Sequence, residues 1–291
     1  MDPTVSEYPG QFITCGSDGE VRIWNGIEDD SPVAISLADV ARGLAAKSVS
    51  SSSSSSSSSV RGRFVAGSSD THGIHAYDLP DATPDGILTR FTADVTCAAY
   101  SPDGTLLAAG AGDFQIKVLR DGVAATEEGA SSGVSPATNL SGHAAPILSL
   151  AFDPSGTRLA SAACNGDIKI WDLIDVLSSS PTSASTSRCI KTLGGVFPAS
   201  NDFDNTQTLC RLTWSPDGSS LLVPAVGGVK CFNTDSWDFQ FTFTEESLTV
   251  GNVCCFSPCG KYLAVVSTNG FLILFDYAER KCVAKSETDK G

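Results

Sequence analysis

The sequence has no long apolar run and little basic charge, and both absences narrow what the protein can be. No apolar stretch reaches the roughly 18 residues of a membrane-spanning helix, so we expect no membrane span. The amino terminus also lacks the basic start and apolar core of a secretory signal. Nineteen Lys and Arg residues stand against 33 Asp and Glu, for a net charge of −14. Because nucleic-acid binding relies on clustered basic residues, we do not expect this chain to bind DNA directly.

Motifs for catalysis and cofactor binding are missing as well. The chain has no Gly-x-Ser-x-Gly nucleophile elbow, no P-loop and no dinucleotide-binding fingerprint. Its three histidines accompany no Ser or Cys nucleophile in a recognised local motif. The cluster of Cys254, Cys255 and Cys259 does not have the spacing of a zinc site. We therefore predict no catalytic residues, no metal site, no cofactor, and a protein that is not an enzyme.

The ten cysteines are interpreted as residues of a reduced core. Most of them, Cys282 included, fall within or beside predicted strands, where a free Cys packs as a small apolar residue. Because no secretory signal is apparent, we expect a reducing compartment and no disulfide framework.

What the sequence does contain is one five-residue phrase in four copies. Each copy has Pro at its third position and Gly at its fifth: Tyr100–Gly104, Phe152–Gly156, Trp214–Gly218 and Phe256–Gly260. After each copy come a short apolar strand, a Gly- or Asn-containing turn and a second strand. Four-stranded propeller blades repeat about every 40–45 residues. The spacing between Pro216 and Pro258 falls within this range. The recurrence therefore predicts a repeat architecture of strands.

The fourth unit carries the two dipeptides that are typical of WD repeats. Gly142-His143 stands at its start and Trp171-Asp172 at its end. In such a unit a buried Trp can donate its indole N–H to a Ser or Thr hydroxyl. That hydroxyl can pair with the His, and the His with a polar residue in the turn. The spacing predicts this structural relay for four residues: Trp171, Ser161, His143 and Asn165.

Two departures from the WD pattern weaken this relay. Asn165 stands where these repeats usually have Asp. The first unit has the same spacing in Thr14, Asp18 and Trp24, but it lacks the Gly-His dipeptide. We expect the relay residues of both units to act in the fold and not in chemistry.

The predicted fold is all-β, a WD-repeat β-propeller of about six recognisable blades. The first blade is expected to be incomplete and a seventh absent, as in an open ring or a fragment, and such a chain should be poorly soluble. Residues 1–10 match no repeat, and the propeller occupies 11–291. Polar composition predicts disordered or loop insertions at 48–60, 121–138, 177–187 and 197–206.

One segment is more specific than any WD motif. Pro84–Thr92 reads Pro-Asp-Gly-Ile-Leu-Thr-Arg-Phe-Thr and lies in order between Ile13–Trp24 and Gly142–Pro154. Together these segments resemble a family of replisome adaptors. Its animal members are known as acidic nucleoplasmic DNA-binding protein, or WD-repeat and HMG-box DNA-binding protein, and its fungal relative is the chromosome transmission fidelity adaptor.

The resemblance implies a nuclear, non-enzymatic scaffold of the replication machinery. Family members link the replicative helicase to DNA polymerase alpha–primase on chromatin and support replication, repair and sister-chromatid cohesion. Their amino-terminal propeller is a protein-interaction module. Trimerisation and DNA contact belong to later regions of the family, which we do not expect in this chain. An alternative stays open: a WD-repeat adaptor of another pathway, such as a ubiquitin-ligase substrate receptor or an RNA-processing scaffold.

Overall fold

The computed structural model describes residues 12–16, 18–24, 31–37, 41–49, 61–79, 81–121, 134–178, 188–197, 199 and 210–287. Within these ranges the chain forms 23 strands and one short helix, α1 (Ile174–Ser178). No helix in the described ranges is both long and apolar enough to cross a bilayer. The chain divides into two compact units, Met1–Val95 and Thr96–Gly291.

The first unit contains two antiparallel sheets. The three-stranded first sheet has the order β1 (Phe12–Cys15), β2 (Glu20–Trp24) and β3 (Val33–Ser36). The second sheet has the order β4 (Ala41–Val49), β5 (Arg61–Ser68), β6 (Gly73–Leu79) and β7 (Thr83–Arg90). Alternate residues of β2 are buried, and they pack with residues of β5 in one hydrophobic cluster. The period of two is that of a strand with one face in the core.

The second unit contains four sheets of four strands each, all antiparallel. The third sheet consists of β8 (Val95–Tyr100), β9 (Leu106–Ala111), β10 (Ile116–Asp121) and β11 (Val134–Leu140). The fourth consists of β12 (Ile147–Phe152), β13 (Arg158–Ala163), β14 (Ile168–Asp172) and β15 (Arg188–Leu193). The fifth consists of β16 (Thr213–Trp214), β17 (Ser220–Ala225), β18 (Gly228–Asn233) and β19 (Phe239–Phe243). The sixth consists of β20 (Gly251–Phe256), β21 (Tyr262–Ser267), β22 (Phe271–Asp276) and β23 (Lys281–Glu287).

This architecture confirms the predicted fold class. The strands follow one another in simple up-and-down order within each sheet, as in the blades of a WD-repeat propeller, and six blades are recognisable. In the second unit, consecutive sheets share hydrophobic clusters. Strand β17 is therefore buried at every residue, because one of these clusters covers each of its faces. Strand β21 instead alternates, with Val265 buried and Val266 36% exposed.

The repeated phrase forms the same closed turn in all four copies. Its Gly has a φ of 70°, 72°, 72° or 71° in chain order, in the left-handed region that favours glycine. The side-chain oxygen of its second residue accepts a hydrogen bond from the backbone N–H five residues later. The oxygens are those of Ser101 (2.9 Å), Asp153 (2.8 Å), Ser215 (2.9 Å) and Ser257 (3.0 Å). The phrase thus joins the first strand to the second in the third to sixth sheets.

These turns also pack on one another from sheet to sheet. A Cβ built on Gly156 would lie 3.6 Å from Cδ of Pro102, and one on Gly218 would lie 3.6 Å from Cδ of Pro154. A Cβ on Gly260 would lie 3.1 Å from Cγ of Pro216. The first two distances are ordinary van der Waals contacts, whereas a side chain at Gly260 would crowd Pro216. The phrase is therefore a tertiary contact as well as a local turn.

The predicted insertions are shorter than expected. Strand β11 occupies the carboxyl end of 121–138, Ser48 and Val49 belong to β4, and α1 continues to Ser178. β11 carries no apolar alternation because it is an outer strand, held by backbone pairing to β10, and Pro136 is tolerated at this edge next to a bulge. Residue 121 belongs to β10, and residues 197 and 199 are also described. The other residues of the four insertions lie outside the described residues, and so do residues 1–10.

Five of the ten cysteines are buried, two are partly buried and three are exposed. Cys255, Cys259 and Cys282 are exposed. The prediction for Cys282 was wrong because β23 is the outermost strand of its sheet and is exposed along its whole length.

Candidate functional site

The fourth sheet brings together three of the four predicted relay residues. Trp171 on β14 donates its indole N–H to Oγ of Ser161 on β13, at 2.8 Å. The same Oγ lies 2.6 Å from Nε2 of His143. Ser161 is fully buried, and Trp171 and His143 are 3% and 8% exposed. One hydroxyl therefore serves two buried ring nitrogens in a site closed to solvent.

The fourth residue, Asn165, does not bond to His143. Its Nδ2 donates to Oδ2 of Asp167 at 2.7 Å, and its Oδ1 accepts from the backbone N–H of Asp167. The Nδ1 atom of His143 is buried and has no hydrogen-bond partner within the described ranges. The predicted final link of the relay is therefore absent. The physical reason is local: a neighbouring carboxylate is a stronger acceptor for the amide than a neutral imidazole.

The environment of His143 keeps its imidazole neutral. Burial, together with the nearby Lys169 ammonium, lowers the pKa of His143 to about 4. A proton on this ring at neutral pH would be a buried charge with only a distant carboxylate to balance it. His143 is thus suited to hydrogen bonding within the fold and not to proton transfer near neutral pH.

The first sheet contains a related but more open arrangement. Trp24 donates its indole N–H to Oγ1 of Thr14 at 2.9 Å, and Thr14 is exposed. Asp18 accepts a hydrogen bond from Arg22 at 2.7 Å and another from the backbone N–H of Glu20. The bond from Arg22 holds the pKa of Asp18 below its usual range. Asp18 therefore closes its own turn and pairs with Arg22.

The family-like segment Pro84–Thr92 has a structural task in the second sheet. Arg63 on β5 is 7% exposed, and its guanidinium lies 3.0 Å from Asp78 and 2.5 Å from Asp85. Asp85 belongs to the segment, as does Arg90, which donates to a backbone carbonyl in the β5–β6 turn. The segment thus supplies a carboxylate that partners a buried cation, an arrangement that sequence alone did not indicate.

A cluster of two indoles and a guanidinium on the fifth sheet was not predicted. The rings of Trp214 and Trp237 meet edge to face, with centroids 6.1 Å apart. The guanidinium of Arg158 lies over both rings, 4.9 Å from the Trp214 centroid and 6.0 Å from that of Trp237. Arg158 also pairs with the buried carboxylate of Asp153 at 3.3 Å. The only sequence signal was a Trp set among the polar turn residues of 233–238.

Comparison with known proteins identifies the family. Residues 2–291 match the family model described as the WDHD1 first WD40 domain. The chain belongs to the WDHD1 family. It is 35% identical over 286 residues to "WD repeat and HMG-box DNA-binding protein 1" of Homo sapiens and 33% identical over 288 residues to its counterpart in Xenopus laevis. In both comparisons the alignment covers 97% of this chain but 22% of the relative.

Other WD-repeat proteins are more distant from this WDHD1-family chain. The periodic tryptophan protein 2 homolog of Dictyostelium discoideum is 27% identical over 239 residues. The family resemblance drawn from the sequence is therefore confirmed. Within the described ranges, no group of three or more His, Cys, Asp or Glu side chains could hold a metal ion.

Proposed function

We propose that this WD40 domain is a non-catalytic protein-interaction scaffold of the DNA replication machinery, located in the nucleus on chromatin. Family membership along residues 2–291 is the observation that carries the proposal. The contacts of the buried polar side chains support it: His143, Ser161 and Arg63 hydrogen-bond within their own sheets. These side chains stabilise the fold, and we propose that partner proteins bind to surface loops.

The finer proposal is that the full-length protein links the replicative helicase to DNA polymerase alpha–primase and serves replication, repair and sister-chromatid cohesion. It is supported by the sequence segments that resemble the replisome adaptors. The relatives are named as HMG-box DNA-binding proteins, but this chain spans 22% of their length. Because the chain has a net charge of −14, we propose that this domain contacts proteins and that other regions of the full-length protein contact DNA.

Affinity purification of the tagged full-length protein from cells in S phase tests this proposal. We expect helicase subunits and polymerase alpha–primase subunits to copurify after nuclease treatment, which removes bridging DNA. Recovery of a ubiquitin ligase or of RNA-processing factors, with neither replication complex, would overturn it in favour of another WD-repeat pathway. A gel-shift assay with the purified domain should show no DNA binding at physiological salt.

A further inference from the structure

Two turns that are hydrogen-bonded to each other lie at one end of the fifth sheet. The first turn, 215–219, is a copy of the repeated phrase, and the second, 233–239, joins β18 to β19. Thr234 connects them, because its hydroxyl donates to the carbonyl of Gly218 at 2.7 Å and its backbone N–H donates to the carbonyl of Ser219 at 3.1 Å. We call these two turns the fifth-sheet surface.

The second turn is held in a strained conformation around a tryptophan. Trp237 has a φ of 62°, in the left-handed region that residues with a side chain rarely adopt. Asn233 holds the turn, since its Oδ1 accepts from the backbone N–H groups of Asp235 (2.8 Å) and Ser236 (2.9 Å) and its carbonyl accepts from Trp237 (2.9 Å). A strained backbone conformation that several hydrogen bonds maintain is often found at a functional site.

An aromatic side chain stands open beside this turn. Phe239 is 56% exposed although it is a large apolar residue. One part of its ring packs against Phe232, with centroids 6.0 Å apart at 73°. The remainder faces solvent next to the turn that carries Trp237. Aromatic rings that are fixed on one side and open on the other are typical anchors of protein interfaces.

The two turns of the fifth-sheet surface are acidic. The two turns contain three carboxylates, Asp217, Asp235 and Asp238, and no Lys or Arg. All three are exposed, and the side chains of Asp235 and Asp238 have no ion pair or hydrogen bond with any residue that the structure describes. The Ser215 hydroxyl holds the pKa of Asp217 below its usual range, so this group is ionised at neutral pH. The guanidinium of Arg158 reaches the second turn, where it donates to the carbonyl of Thr234 at 3.3 Å, but Asp153 balances its charge and it lies over the two indoles.

We propose that the fifth-sheet surface docks a basic peptide segment of a partner protein. Lys or Arg side chains of the segment pair with Asp217, Asp235 and Asp238, and their aliphatic stems, or an adjacent apolar residue, cover Phe239. Charge complementarity selects this occupant, since an acidic peptide or a nucleic acid would be repelled by the three carboxylates. The inference rests on the proposed function of the domain as a protein-interaction scaffold and assigns that function a surface.

Fluorescence anisotropy with the purified 291-residue chain tests the docking surface. The probe is a labelled Lys/Arg-rich peptide that carries one Leu, and its control has Glu in place of every Lys and Arg. We expect saturable binding of the basic peptide only. Phe239→Ser, and separately the double variant Asp235→Asn with Asp238→Asn, should weaken that binding about tenfold. Circular dichroism should show an unchanged fold, because the altered side chains are exposed.

Matched controls lie at the opposite end of the same sheet. Val226 is 55% exposed in the β17–β18 turn, and Glu246 is exposed between β19 and β20. Val226→Ser and Glu246→Gln should bind the peptide as the unchanged chain does. An equal loss in Glu246→Gln would show that binding follows net charge alone, and an equal loss in Val226→Ser would show that binding is not confined to the fifth-sheet surface. Either result would overturn the proposal, as would full binding by Phe239→Ser. Failure here with intact copurification of replication complexes would reject this surface and not the scaffold function.

Discussion

Removing the hydroxyl of Ser161 is expected to destabilise the second unit far more than removing a surface hydroxyl. In Ser161→Ala the indole N–H of Trp171 loses its acceptor at 2.8 Å. Nε2 of His143 loses its partner at 2.6 Å, in a ring whose Nδ1 already has no partner within the described ranges. The substitution removes one small atom and therefore leaves almost no cavity to complicate its effect.

The expected loss follows from the burial of both ring nitrogens. A buried polar group that loses its hydrogen bond costs roughly 1–3 kcal/mol, and Ser161→Ala leaves two such groups. Some relaxation of the rings is to be expected, so we predict a loss of about 2–4 kcal/mol in the free energy of unfolding. By contrast, Ser219 is exposed, and within the described ranges its hydroxyl bonds only to Asp217 in its own turn. Ser219→Ala should therefore cost about 0.5 kcal/mol or less.

Urea unfolding, followed by both far-UV circular dichroism and Trp fluorescence, measures these losses. The two compact units can unfold in separate transitions, so the change is read from the transition that Ser161→Ala shifts. Thr14→Ala is a control matched in chemistry, because it removes the acceptor of Trp24 at an exposed position. We expect it to cost less than about 1 kcal/mol.

The reasoning would be refuted if Ser161→Ala unfolded at the same urea concentration as Ser219→Ala with an unchanged m-value. That outcome would mean that water or a ring rotation satisfies both nitrogens, and that the relay does not stabilise this sheet. A changed m-value alone would point to an effect on the unfolded chain.

Three further predictions concern other parts of the chain. Asp85→Asn should lower the stability of the first unit by about 1–3 kcal/mol, because Arg63 is buried, whereas Asp78→Asn, at a more exposed partner, should cost less in the same thermal melts. The folded pKa of His143, about 4, lies below its ordinary value of 6.5, so the unfolded chain takes up the proton first. The contribution of His143 to the free energy of unfolding is therefore full above about pH 6.5 and declines as the pH falls toward 4, by at most about 1.4 kcal/mol per pH unit. The decline in stability between pH 6.5 and 4.5 should be shallower in His143→Gln than in the unchanged chain, and an equal slope would contradict this. Leu272 is 41% exposed on the sixth sheet, so Leu272→Lys should raise the solubility that the sequence predicts to be poor, and an unchanged soluble fraction after centrifugation would contradict this.

Much of the fold followed from local sequence signals. The alternation of apolar residues and the four Pro/Gly turns predicted strands, sheets of about four strands and their repetition, because each of these signals acts within a few residues. The pairing of Trp171 with Ser161 could also be anticipated, since an antiparallel hairpin brings positions ten residues apart into diagonal contact. The ends of the outer strands could not, because an edge strand needs only backbone pairing and carries no distinctive pattern.

Contacts between side chains that are distant in the sequence could not be predicted from local sequence patterns. Arg63 and Asp85 are 22 residues apart and meet only because β7 returns beside β6 in the second sheet. Arg158 meets Trp214 and Trp237 because the fourth and fifth sheets pack together. Neither pairing leaves a local mark in the sequence.

The sequence by itself determined an all-β WD-repeat chain of the WDHD1 family, because periodicity, turn chemistry and one specific segment are properties of neighbouring residues. Only the tertiary structure decided that Asn165 turns to Asp167 and leaves a buried nitrogen of His143 without a described partner. It alone showed that Phe239 is exposed at the end of the fifth sheet where two acidic turns are hydrogen-bonded to each other. The physical reason is that hydrogen-bond competition and solvent exposure depend on which segments pack together, and segments distant in sequence do so only in the folded chain.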